Sequence, residues 1–124
     1  MTIKELYQNV GGDYDQAMRV LRMEKLMDKH VRKFPQNGVV EGLLEAVDGM
    51  DPTRLFEAAH AMKGVCANLG FVNLSDAASE IAEEFRPGKE RKLSDDEVKS
   101  RIASIRETYE RVIEGIRKYE ESLE

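Results

Sequence analysis

His60, Lys63 and Gly64 stand together in "HAMKG", inside the otherwise strongly helical stretch "LFEAAHAMKGVCANLGF". An imidazole has an unperturbed pKa of about 6.5, so near neutral pH one ring nitrogen is free to attack phosphorus without a strong base. The product is a phosphoramidate, and an ammonium at Lys63 can partly offset the charge on its terminal oxygens. Phosphoryl transfer asks a protein mainly for positioning and electrostatics, so no triad is needed around such a histidine. Gly64 is the odd member of the three. A glycine inside a helix costs about 0.5 to 1 kcal/mol relative to alanine, which suggests that something approaches the backbone closely there.

The helical spacing decides which way these residues point. At about 100° per residue, Leu55, Ala59, Met62, Cys66 and Leu69 lie within roughly 40° of one line, which must face a core. Lys63, Ala67, His60 and Gly64 fall roughly 80°, 120°, 140° and 180° from that line, with Phe56 on the flank. His60 therefore projects toward water. Gly64 and Ala67 clear side-chain bulk around it, as a phosphoryl group delivered by a partner would require. The plain alternative is a solvated surface histidine, which lacks any need for the neighbouring glycine and lysine. A metal reading fails on two counts. "EAAH" at Glu57 to His60 has the Glu-x-x-His spacing of di-iron bundles, but His30 in "MDKH" supplies no second copy, and those ligands project inward whereas His60 projects outward. His30 lies at the edge of an apolar stripe and reads as packing or partly solvated, and Cys66 reads as a small buried apolar residue.

Six helices are predicted to position this group. Thr2 and Glu5 form a capping box for a short leading helix with Ile3, Leu6, Tyr7 and Val10 on one face, stopped by Gly11 and Gly12. Asp13 caps a long, one-sided second helix carrying Val20, Met23, Met27, Val31 and Phe34 up to Pro35. Val39, Val40, Leu43, Leu44 and Val47 make a shorter third. Asp51 and Pro52 start the helix that bears His60, about 52–70, and Gly70 sits where a left-handed terminal residue is wanted. A fifth carries Leu74, Ala78, Ile81 and Phe85 and stops at Pro87. After the charged "RPGKERK", Ser94 and Glu97 cap a long last helix, about 95–123. Its stripe of Val98, Ile102, Ile105, Tyr109, Val112, Ile116, Tyr119 and Leu123 has heptad spacing, suited to the bundle's longest member or to a dimerising seam. No segment alternates as a strand does. The fold class is all-α, an antiparallel four-helix bundle with an additional short N-terminal helix, in a single domain spanning 1–124.

Composition narrows the partners. The 124 residues suffice for a core without metal or disulfide support, and 35% charged residues with 41% hydrophobic fit soluble amphipathic helices. A formal net charge of −5 argues against nonspecific nucleic-acid binding. Cys66 is the only cysteine, so no intramolecular disulfide can form. "MTIKELYQNVGG" lacks the apolar run of a signal peptide, and nothing approaches a membrane span, so a cytoplasmic location is expected.

"AHAMKGVCANLGF", from Ala59 to Phe71, resembles the signature of histidine phosphotransfer (HPt) domains: His, an apolar residue two positions on, Lys-Gly, then Asn-Leu-Gly. "GGDYDQAMRVL" and "MDKHVRKF" also look like the opening of small stand-alone members, so the similarity covers roughly residues 1 to 86. The last helix carries no signature of the family. Val65 and Cys66 stand where smaller residues such as serine or alanine are frequent. The resemblance implies an HPt-like bundle acting as a phosphorelay intermediate, not an enzyme. His60 would accept a phosphoryl group from a receiver-domain aspartyl phosphate and pass it to another receiver. Lys63 would stabilise the phosphate and Gly64 give the partner access, with Phe56, Ala67 and Phe71 at the partner contact. No cofactor belongs to this chain, magnesium being on the receiver. The partners would be response-regulator receivers, a hybrid histidine kinase, or both, and the protein a monomer. Two alternatives stand beside this: phosphorylation in trans by a separate ATP-binding kinase subunit, and a non-catalytic helical adaptor or dimerisation module. The chain has no glycine-rich nucleotide loop of its own.

Overall fold

In a computed structural model, which describes residues 1–123, the chain is all-helical, with no strand among the described residues. The helices are α1 (Ile3–Val10), α2 (Tyr14–Leu21), α3 (Glu24–Lys33), α4 (Val39–Ala46), α5 (Pro52–Asn68), α6 (Val72–Glu84) and α7 (Asp95–Ser122), with a 3-10 turn over Phe34–Gln36. α4, α5, α6 and α7 pack in a closed ring, each against the next and α7 back against α4, with α5 and α6 in the most extensive contact. Short connections over 47–51 and 69–71 make α4, α5 and α6 antiparallel in turn, and a longer one over 85–94 leads into α7. The remaining three helices are appended: α1 on α7, α2 on α3 and α5, and α3 on α7.

Local signals set the helix ends. The capping boxes at Thr2–Glu5 and Ser94–Glu97 are both formed, and the Asp51 carboxylate accepts from the Thr53 amide. Gly70 ends α5 with φ of +73°, and a Cβ there would lie 2.3 Å from the Asp13 carbonyl oxygen. The chain can therefore fold back tightly enough for the Asp13 amide to donate to that same Gly70 carbonyl, at 2.8 Å.

The single long helix expected over 13–34 is two helices. Arg22 takes φ of +69° and its amide donates to Met18, which closes α2. On one continuous helix, Tyr14, Ala17 and Leu21 would point roughly 100° away from Met27, Val31 and Phe34. Both sets pack onto the body, and only a break allows that. Val20 and Met23, expected on the buried stripe, are left 46% and 51% exposed at the corner.

The heptad stripe of α7 is spent inside the chain. Val98, Ile102, Ile105, Val112, Ile116 and Tyr119 are buried and Tyr109 is half-buried, leaving Leu123 exposed. The Tyr119 hydroxyl donates to Asp28 at 2.6 Å and the Tyr109 hydroxyl to Glu41 at 2.9 Å, tying α7 to α3 and α4. α1 approaches α7 at Gly115, where a Cβ would lie 2.3 Å from Val10 Cγ1. No described helix is long and apolar enough to cross a membrane.

Candidate functional site

α5 is built to hold one face in the core and offer the other to solvent. Leu55, Ala59, Met62 and Cys66 are fully buried, and the interval between them forces His60, Lys63 and Gly64 outward, where all three are exposed. Burial pushes the Cys66 thiol up to about 12, so it is a neutral core side chain and no nucleophile.

The His60 imidazole does not hang free. The Phe56 ring, one turn earlier and half-buried, stacks on it with centroids 5.7 Å apart and planes 18° from parallel. Phe56 also lines a cavity of about 400 Å³ against the α6–α7 connection, where Arg86, Gly88 and Lys89 face it. A backbone and a ring thus hold the imidazole plane while leaving its outer edge to solvent.

Around Lys63 the field is mixed. Glu83 on α6 pairs with Arg86 at 2.7 Å and with Lys89 at 2.8 Å. The hydrogen bond from Lys89 is the main cause holding the Glu83 carboxyl below its usual value, with Arg86, Lys89 and Lys63 adding their charge. The carboxylate on which Lys63 acts thus already has two cations, and Lys63 itself is exposed on the face of α5 that carries His60.

Gly64 has a helical backbone and a Cβ built on it meets nothing within 4 Å. No packing inside the chain requires a glycine here. One turn further, Ala67 is half-buried and its carbonyl accepts from the Gln16 side chain at 2.8 Å, so α2 grips the end of the same face.

Phe71 does not belong to this surface. It is 2% exposed, stacked on Tyr7 at 5.7 Å and tilted against Phe34 at 5.0 Å, with the Tyr7 hydroxyl donating to the Leu69 carbonyl at 2.6 Å. The expectation of a partner contact at Phe71 is corrected: the turn at Gly70 swings the ring inward to anchor α1 and the 3-10 turn. His30, expected to be packed or partly solvated, is exposed: it lies on the turn between the buried Met27 and Val31 but points roughly 60° to 100° away from them around α3. No group of three or more His, Cys, Asp or Glu placed to hold a metal occurs among the described residues.

Sequence reasoning placed Phe56 on the flank and, through the resemblance, at the partner contact, but missed the stack, although its spacing of four from His60 is the one that brings helix side chains together. It missed Glu83 altogether, because nothing in local sequence relates α6 to Lys63.

Residues 36–115 match the family model of the Hpt domain. No curated protein and no solved structure matches the chain. The match takes in the closed ring of α4 to α7, so it reaches well into the last helix, and it leaves α1 to α3 outside, where the resemblance had been placed over roughly 1 to 86. It covers more than half of the 124 residues, and the chain therefore belongs to the Hpt domain family: it is a histidine phosphotransfer protein of a two-component phosphorelay, an intermediate without kinase activity of its own.

Proposed function

We propose that His60 is the phosphoacceptor, taking the phosphoryl group from a receiver-domain aspartyl phosphate and returning it to the aspartate of another receiver. The observation that carries this is the pairing of an exposed, ring-braced imidazole with a glycine four residues on that the chain's own packing does not need. The unprotonated ring nitrogen of His60 attacks phosphorus; the P–N bond forms as the P–O bond to the receiver's aspartate breaks, and the aspartate leaves as carboxylate. The ring then carries the cationic charge until its other nitrogen releases a proton. Phe56 holds the imidazole plane, Lys63 supplies a point charge to the phosphoryl oxygens, and Gly64 with Ala67 gives the receiver room to close on His60. Magnesium belongs to the receiver.

The chain acts as one domain over 1–124 and as a monomer, a reading supported by the burial of the α7 stripe within the chain. Response-regulator receivers, alone or within a hybrid histidine kinase, are its partners, and its place is the cytoplasm, in keeping with a single buried cysteine. The test is labelling by a phosphorylated receiver. His60→Gln is expected to abolish acid-labile phosphate with helical content and melting temperature nearly unchanged, and His30→Gln to retain it. Labelling of His60→Gln at normal stoichiometry, or its loss in a folded His30→Gln, would overturn the assignment. Labelling by an ATP-binding kinase subunit but by no receiver would replace the donor and keep the acceptor.

A further inference from the structure

Glu84 is the one buried charged side chain among the described residues, and it is the last residue of α6. Both circumstances disfavour a carboxylate there. Burial strips its water, and the C-terminal end of a helix already carries partial negative charge. Replacing a buried ion pair by apolar residues is often neutral or stabilising, so stability alone is a weak reason to keep one. What this carboxylate does is geometric. It accepts from the Lys92 and Leu93 amides and from Arg91 Nε, so the end of α6 catches the chain eight and nine residues later. The Arg91 guanidinium in turn lies over the Phe85 ring, 4.8 Å from its centroid.

At the near end of the same connection, the Lys89 amide donates to the Arg86 carbonyl at 3.1 Å, closing the turn through Pro87 and Gly88. Residues 85–94 lie outside the helices, so these bonds and the Glu83 ion pairs fix their path. That path decides what lies opposite Phe56. Glu84, Phe85 and Arg91 line the cavity of about 400 Å³ that Phe56 lines from α5. Phe56 is only half-buried, and the open volume beside it gives its ring room to turn, within the limit that the connection sets. A ring turned into an enlarged cavity leaves the His60 imidazole, on which it stacks at 5.7 Å.

We propose that Glu84 is a positioning residue for His60: by anchoring the α6–α7 connection it bounds the cavity and keeps the Phe56 ring over the imidazole. This rests on His60 being the acceptor. The hydrogen bonds of Glu84 go to the connection and none goes to His60. It therefore sets how much of the time the ring nitrogen is aimed at phosphorus, and leaves the docking of a receiver alone. Alignment of reacting groups is worth large factors in rate, so a small loss of it reads out in kcat rather than in KM.

The test uses the full chain at a temperature where circular dichroism shows each variant folded. Glu84→Gln keeps the size but puts an NH₂ group where two backbone amides and a guanidinium need acceptors. Arg91→Ala alters an exposed side chain and loosens the same anchor, so it carries the test if Glu84→Gln does not fold. In both, the His60 ring-proton resonances, displaced in the wild type by the stacked Phe56 ring, move toward their positions in Phe56→Leu. Labelling by phosphoramidate and kcat for transfer from a receiver both fall, by about two- to fivefold in Glu84→Gln, with KM for the receiver within about twofold of the wild type. The double variant Phe56→Leu/Glu84→Gln is no slower than Phe56→Leu, because Glu84 acts only through that ring. Tyr119→Phe removes a hydroxyl bonded to Asp28, about 36 Å along α7 from Asp95, and lowers stability with the His60 resonances and rates of the wild type. Wild-type His60 resonances in the folded anchor variants overturn the proposal, and so do rate losses that multiply in the double variant. Failure of phosphoramidate and of every receiver to label the wild-type protein at His60 overturns the acceptor assignment instead, and the resonances still decide whether Glu84 holds the ring.

Discussion

The Phe56 ring lies nearly parallel to the His60 imidazole, one helical turn away, with 5.7 Å between centroids. Stacked ring pairs contribute about 0.5–1.5 kcal/mol beyond the area they cover, enough to bias the imidazole toward one orientation. Phe56 is itself held between α5 and the α6–α7 connection, so the brace is part of the packed body.

Removing the brace should slow the chemistry whichever donor is used. Phe56→Leu keeps apolar volume in the cavity but loses the stack, and transfer from a receiver and from phosphoramidate should both fall by about two- to tenfold. Time courses with the two donors check this. A loss confined to the receiver would make Phe56 a docking residue instead.

Lys63 should matter less than its place suggests. It is exposed, and the nearby carboxylate it adds a small charge effect to, Glu83, is already paired with Arg86 and Lys89. An exposed charge pair is typically worth about 1 kcal/mol or less, rising to a few if docking excludes water. Lys63→Ala is expected to slow transfer and shorten the phosphohistidine lifetime while leaving His60 able to accept. The measurement is the transfer rate and the decay of label at several salt concentrations. No change in either would remove Lys63 from the handling of phosphate.

What could be read from the chain divides along physical lines. The ends of α1, α5 and α7 were legible because Thr2, Asp51, Ser94 and Gly70 act on amides and carbonyls within a few residues of themselves. The outward direction of His60 was legible because five apolar residues fix the core line of α5. The break at Arg22 was not, since no glycine or proline marks it and it is forced by where α2 and α3 must each pack. Phe71 was misplaced for the same reason: its partners Tyr7 and Phe34 lie far away in sequence. Gly115 went unread because its role appears only when α1 lies against it.

The connection beside Phe56 depends on one buried carboxylate. Glu84 is 6% exposed and accepts from the Leu93 amide at 2.8 Å, the Lys92 amide at 3.1 Å and Arg91 Nε at 3.4 Å. Burial alone would raise its pKa, but the two amides and the guanidinium prevail and hold it below the ordinary value of 4.5. With the folded pKa below the unfolded one, the stabilisation is complete above about 4.5 and fades as pH falls through the folded value. Glu84→Gln should therefore cost roughly 1–3 kcal/mol near neutral pH and flatten the stability curve below about pH 4.5. Denaturant unfolding at several pH values checks it. An acid limb as steep as that of the wild type would show that Glu84 is not its source.

Gly64 separates a structural from a functional reading most sharply, because a Cβ there meets nothing within 4 Å. Alanine should stabilise the bundle by about 0.5 to 1 kcal/mol, since a helical glycine gives up more freedom on folding and nothing has to move to admit a methyl group. If the glycine has no function, that gain comes without loss of transfer, and a larger residue is equally harmless. If it clears the approach to His60, Gly64→Gln should keep or raise the melting temperature while sharply reducing transfer from a phosphorylated receiver. Glutamine is a good helix former, and its side chain leans toward the N-terminal end of α5, over the turn that carries His60. Phosphoramidate provides the control, being compact enough to reach the imidazole past that side chain. Retained labelling by phosphoramidate with lost transfer from the receiver assigns Gly64 to docking. Equal loss with both donors would place the damage at His60 itself, and unimpaired transfer from the receiver would leave the glycine without the role given to it.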